Sequence, residues 1–153
     1  METSRPYTYL FEKRPYSEDS TPEEIQALKD HVFIHDPHII YYHEIWVTSP
    51  FSVTTMFNEV RDLGKKLDKY GLLFDVRKAA VPDSITRREI NKQFVRATET
   101  VEHVAFCSGQ NILINAAARF VMHNSNLDSF SIHKTIDAAE KAIKDKIDGR
   151  LLS

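Results

Sequence analysis

From Ile39 to Ile147 the chain repeats one alternation four times. A short run of β-branched and aromatic residues gives way to a segment whose apolar positions recur every three or four residues. Ile39 to Val47 reads as a strand. Val53, Met56, Phe57, Val60, Leu63 and Leu67 then fall at helical spacing up to Tyr70, with Ser52 or Pro50 as punctuation before them and Gly71 as the stop beyond the last turn. Leu72 to Val76 is nearly continuous in apolar character, as expected of a strand buried on both faces. Ile90, Phe94, Ala97 and Val101 form the inward stripe of a second helix, and His103 to Cys107 is the next buried strand, ended by Ser108-Gly109. Asn111 to His123 is a third helix. Phe130 and Ile132 alternate with Ser131 and His133 in a last strand with one face near water. Thr135 caps a final helix that turns Ile136, Ala139, Ile143 and Ile147 inward and ends at Gly149. Strands separated by helices cannot be joined as hairpins, so the order predicts an α/β domain with a shared sheet of about four or five strands and four main helices. Leu72–Val76 and His103–Cys107 are expected to be adjacent, parallel and central.

Ahead of this core, Val32-Phe33-Ile34 is a strand separated from the next by His35-Asp36-Pro37-His38, which predicts a turn and hence an antiparallel pair. Thr21-Pro22-Glu23-Glu24 has an N-cap threonine, an N1 proline and an N3 glutamate, a capping box that opens a short helix to about Lys29. Residues 1–30 therefore read as an arm plus short helix and residues 31–153 as the α/β domain. The arm carries Arg-Pro-Tyr twice, at Arg5-Pro6-Tyr7 and Arg14-Pro15-Tyr16. Proline keeps the residue before it out of the helical region, so an extended arm whose tyrosines dock on the domain is expected, with a partner-binding arm as the alternative.

Composition narrows the classes. The 153 residues suffice for one domain with its own core, and a formal net charge of −2 gives no field that would draw nucleic acid or an anionic membrane. A lone cysteine forbids an internal disulfide. The polar start of the chain lacks a signal-peptide h-region, and no apolar window reaches membrane-spanning length, so a cytoplasmic protein without a transmembrane segment is expected. The histidines have no zinc spacing, and no phosphate loop, nucleophile elbow or paired-carboxylate motif occurs, so no metal, cofactor or enzyme activity is expected.

Three places could carry chemistry. The first is the strand end and loop from Asp75 and Arg77 to Asp83 and Ser84, since ligands sit beyond the carboxyl ends of strands in open α/β sheets. The simpler reading is structural: Asp75 accepts loop amides and Ser84 is a helix N-cap. The second is the basic stripe Arg88, Lys92 and Arg96, with Arg77, Lys78 and Arg87 nearby, which could meet a phosphate or an acidic partner. The apolar stripe opposite it explains the pattern as a solvated helix face. The third is the helix from Asn111, whose polar positions Asn111, Asn115 and Arg119 leave an otherwise apolar segment; burial inside the monomer is preferred over an interface. Cys107 reads as a small buried hydrophobe.

The succession of strands and helices, with Leu72-Leu73-Phe74-Asp75-Val76-Arg77 and Val104-Ala105-Phe106, resembles the STAS-like (SpoIIAA-like) family, small domains related to anti-sigma-factor antagonists and similar in structure to lipid-binding domains of the Sec14 type. The antagonists carry Asp or Asn in the central strand and, eight positions on, Asp-Ser-Ser-Gly at a helix start, whose first serine is phosphorylated by a partner kinase. Here Asp75 is followed at that spacing by Asp83-Ser84, with Ile85 and Thr86 where the family has serine and glycine. The resemblance implies a non-enzymatic regulatory module that binds a protein partner, with Ser84 as candidate phosphoacceptor; together with the three places above it leaves Asp75, Arg77, Asp83, Arg87, Arg88, Asn111 and Asn115 as candidate binding residues. A homodimer is one alternative. Another is a small apolar or lipid-like ligand held in a crevice of Phe51, Phe57, Ile112 and Phe120.

Overall fold

A computed structural model describes residues 15–97, 99–124 and 129–152. Tyr7 and most of the expected arm lie outside the described residues. In chain order the elements are α1 (Pro22–Lys29), β1 (Val32–Asp36), β2 (Ile39–His43), α2 (Pro50–Gly64), β3 (Tyr70–Asp75), α3 (Ser84–Ala97), β4 (Val101–Cys107), α4 (Ile112–Asn124), β5 (Phe130–His133) and α5 (Ile136–Leu152). The strands form one mixed sheet in the order β1-β2-β3-β4-β5. β1 and β2 pair antiparallel, and β2 to β5 run parallel. The two apolar runs Leu72–Val76 and His103–Cys107 thus fall in adjacent, parallel, interior strands, as their composition requires.

Side chains alternate across the sheet, and the alternation sorts the helices. Tyr42, Phe74 and Phe106 occupy one in-register row on the face covered by α2, α3 and α4. Tyr42 stacks on Phe74 with centroids 4.2 Å apart, Phe106 lies 5.2 Å beyond, and Phe57 and Phe94 close the cluster from above. Leu73, Ala105 and Ile39 face the other way, against Ala139, Ile143 and Ile147 of α5. Tyr16 and Leu28 are buried in the larger core, so the chain just before α1 docks on the domain as expected, and the Tyr16 carbonyl accepts the Ser49 hydroxyl at 2.8 Å.

Helix ends follow capping chemistry. Thr21 and Glu24 form the expected capping box. Ser49, rather than Ser52 or Pro50, caps α2, in a reciprocal pair with Ser52. Thr135 Oγ1 accepts the Ala138 amide at the start of α5. Two glycine assignments need correction. Helix α2 ends at Gly64, not at Tyr70, and Gly71 is a strand residue. A Cβ on Gly71 would lie 2.4 Å from Ile143 Cγ2, so this glycine is what lets α5 pack close on β3. Gly149 likewise lies inside α5, which continues to Leu152. Gly109 ends β4 at φ +62°, a left-handed turn that favours glycine. Among the described residues no helix is long and apolar enough to cross a membrane.

Candidate functional site

The carboxyl ends of the parallel strands carry the polar chemistry. On the α5 face, His43, Asp75, Cys107 and His133 stand in one in-register row. Asp75 is saturated: Tyr41 donates to Oδ2 at 2.6 Å, and Arg77 donates through Nε and Nη2, both at 2.9 Å, with its amide adding a third bond. Burial raises the acid's pKa, but the hydrogen bonds from Arg77 and Tyr41 outweigh it and hold the carboxyl below its usual range. Asp75 and Arg77 therefore form a closed strand-end lock. Burial, then the Asp75 charge, pushes the Cys107 thiol up, which removes its nucleophilic character. Burial lowers His43 and His133 and takes His103 down to about 4, so these three histidines are neutral at pH 7. Both His103 Nε2 and His133 Nε2 meet Ser131 Oγ, at 2.8 and 2.6 Å. Among the described residues no cluster could hold a metal ion.

On the opposite face, α3 and α4 enclose a groove of about 220 Å³ lined by Ser84, Arg87, Arg88, Asn91, Phe120 and Val121. The fold brings Ser84, Arg87 and Arg88 together here and leaves Asp75 and Arg77 on the far side of the sheet. Ser84 is exposed in the first turn of α3. It is not the cap: Asp83 Oδ1 accepts the Thr86 amide at 2.8 Å, and the Thr86 bonds draw the Asp83 carboxyl down in pKa. The anion slot of the helix start is therefore already filled. The Arg87 guanidinium sits 5.9 Å over the Phe120 ring. Arg88, Lys92 and Arg96 face solvent, as an amphipathic helix predicts. Asn111 caps α4 through its bond with the Ile114 amide at 3.1 Å, whereas the Asn115 side-chain Oδ1 is buried with no hydrogen-bond partner among the described residues.

Helix α4 is not buried within the described structure. Ile112 is 81%, Leu113 70% and Phe120 58% exposed, while Ile114, Ala118, Val121 and Met122 face the core. The expected crevice does not form either, because Phe57 is sealed in the core while Ile112 and Phe120 point outward.

A cavity of about 50 Å³ exists elsewhere, above the aromatic row and below α3 and α4, lined by Phe74, Phe106, Ile90, Phe94, Ile114 and Glu44 among others. Glu44 escaped the sequence reading. It is 4% exposed, and burial pushes its pKa up to about 8, only slightly offset by the Ile45 amide donating to Oε1 at 3.0 Å. The available signal was parity: Ile40, Tyr42 and Glu44 share a strand face, which puts an acid at the end of an apolar row.

No family model, curated protein or solved structure matches this chain.

Proposed function

We propose that this protein is a non-enzymatic, cytoplasmic regulatory module of the STAS-like type that binds a protein partner through the α3–α4 face, with Ser84 as the position where phosphorylation controls binding. One observation carries the reading: Ser84 opens onto a groove holding Arg87 and Arg88, beside the apolar side chains that α4 turns to solvent. Exposed apolar surface rimmed by charge is the usual composition of a protein-docking patch. The rim here is basic, which fits an apolar partner surface with an acidic border.

The helix start favours no added phosphate by itself, because Asp83 occupies the amide slot. A phosphate on Ser84 adds about −1.5 to −2 charges beside Arg87 and Arg88, which are its available counter-charges. The basic charge of the groove is then neutralised, and an acidic partner is released. The test is affinity capture with wild-type, Ser84→Ala, Ser84→Asp and Arg87→Glu proteins of equal thermal midpoint. A partner held by the first two and lost by the last two is expected. The same proteins retained by all four would overturn the reading.

A further inference from the structure

The Glu44 cavity lies beneath the α3–α4 surface, shares Val121 with its groove, and has its own chemistry. Its floor is Phe74 and Phe106, its walls are apolar residues of α3 and α4, and Thr48 is the other polar side chain among its lining residues. A buried carboxyl in such surroundings costs stability unless its hydrogen-bonding groups are used. Glu44 uses one: Oε1 accepts the Ile45 amide. A protonated carboxyl also has an O–H to donate, and among the described residues no hydrogen bond takes it. The position is the one where open α/β sheets receive ligands, beyond the carboxyl ends of the parallel strands. The loop residues Ala79, Ala80 and Pro82 complete the lining, and the Ala80 amide is tied to the Trp46 carbonyl at 3.0 Å, with the 52% exposed Trp46 among the neighbouring loop residues.

We propose that this cavity is a binding site for a small, largely apolar molecule bearing a hydrogen-bond acceptor such as a carbonyl, anchored by a hydrogen bond from the Glu44 carboxyl. The size agrees with the head of such a molecule rather than a whole lipid. A cavity of about 50 Å³ is roughly a third of the engineered 150 Å³ cavity that admits benzene. Among the described residues no other acid, base or cation lines the cavity. Among the described residues the titratable group that senses Glu44 is the Tyr42 phenol, whose pKa burial holds well above its ordinary value. The donor is therefore present at neutral pH and disappears as Glu44 ionises.

The probe is 2-pentanone, followed by methyl NMR of Ala80, Ile90, Ile114 and Val121, with n-butylamine as the cationic comparator. Wild-type, Glu44→Gln and Glu44→Leu proteins are titrated at pH 6.5 and 9.5, and their spectra report folding directly. Shifts confined to cavity methyls are expected in the wild type, with affinity about thirtyfold weaker at pH 9.5 as the protonated fraction falls. Glu44→Gln keeps a donor and should bind equally at both values, and Glu44→Leu should not bind. Absence of cavity shifts at pH 6.5, binding by the wild type that ignores pH, or preferential binding of n-butylamine would overturn the proposal.

Discussion

Replacing Glu44 with glutamine should stabilise this protein, by an amount that grows with pH. Glu44 has a pKa of about 8 in the fold against an ordinary 4.5. The folded state therefore holds a proton that the unfolded chain has already released. Below pH 4.5 both states are protonated and the acid behaves like an amide. Between 4.5 and 8, raising the pH favours the unfolded chain by about 1.4 kcal/mol per unit. The accumulated penalty is about 3 kcal/mol at pH 7 and levels off near about 5 kcal/mol above pH 8. Against a typical stability of about 5–15 kcal/mol this is a large fraction of the whole. The assay is urea unfolding of wild-type and Glu44→Gln proteins at pH 4.5, 5.5, 7 and 8.5. Subtracting the two curves removes every other titrating group. The difference should start near zero, climb through neutrality and then flatten. A difference that stays flat across this range would refute the assignment of a buried, protonated Glu44.

Two other variants separate roles that lie side by side in the sequence. Asp83→Ala should lower the thermal midpoint by removing the α3 cap, whereas Ser84→Ala should leave it nearly unchanged. Gly71→Ala should destabilise by about 1–3 kcal/mol in denaturant titration, because its methyl meets Ile143 and the His103 carbonyl.

The repeating period of the apolar residues carried most of the architecture. Leu72–Val76 and Val104–Phe106 announce buried parallel strands because only residues packed on both faces remain apolar without alternation. The errors arise where local chemistry offers two solutions and tertiary contact chooses. Gly64 and Gly71 can each end a helix; what reserves Gly71 for the strand is Ile143, more than 70 residues away. Asp83 and Ser84 can each cap α3, and the carboxylate takes the amide. Helix α4 reads as buried because its composition is apolar, yet its outer positions Ile112, Leu113 and Phe120 face solvent. The candidate residues divide in the same way. Ser84, Arg87 and Arg88 lie within one turn and remain together, but Asp75 and Arg77 are turned by strand parity to the opposite face. Glu44 was hidden because a single acid at a strand end resembles a solvated terminus until α3 and α4 close over it.

The claim that the α3–α4 face docks a protein is tested most directly by photocrosslinking in the cell. A photoreactive phenylalanine analogue replaces Phe120, and a control replaces the exposed Lys141 on the other side of the sheet. The account predicts one discrete adduct with another protein from position 120, none from position 141, and loss of that adduct when Ser84→Asp is added. No adduct from position 120, the same adduct from both positions, or an adduct at twice the mass of this chain would contradict it.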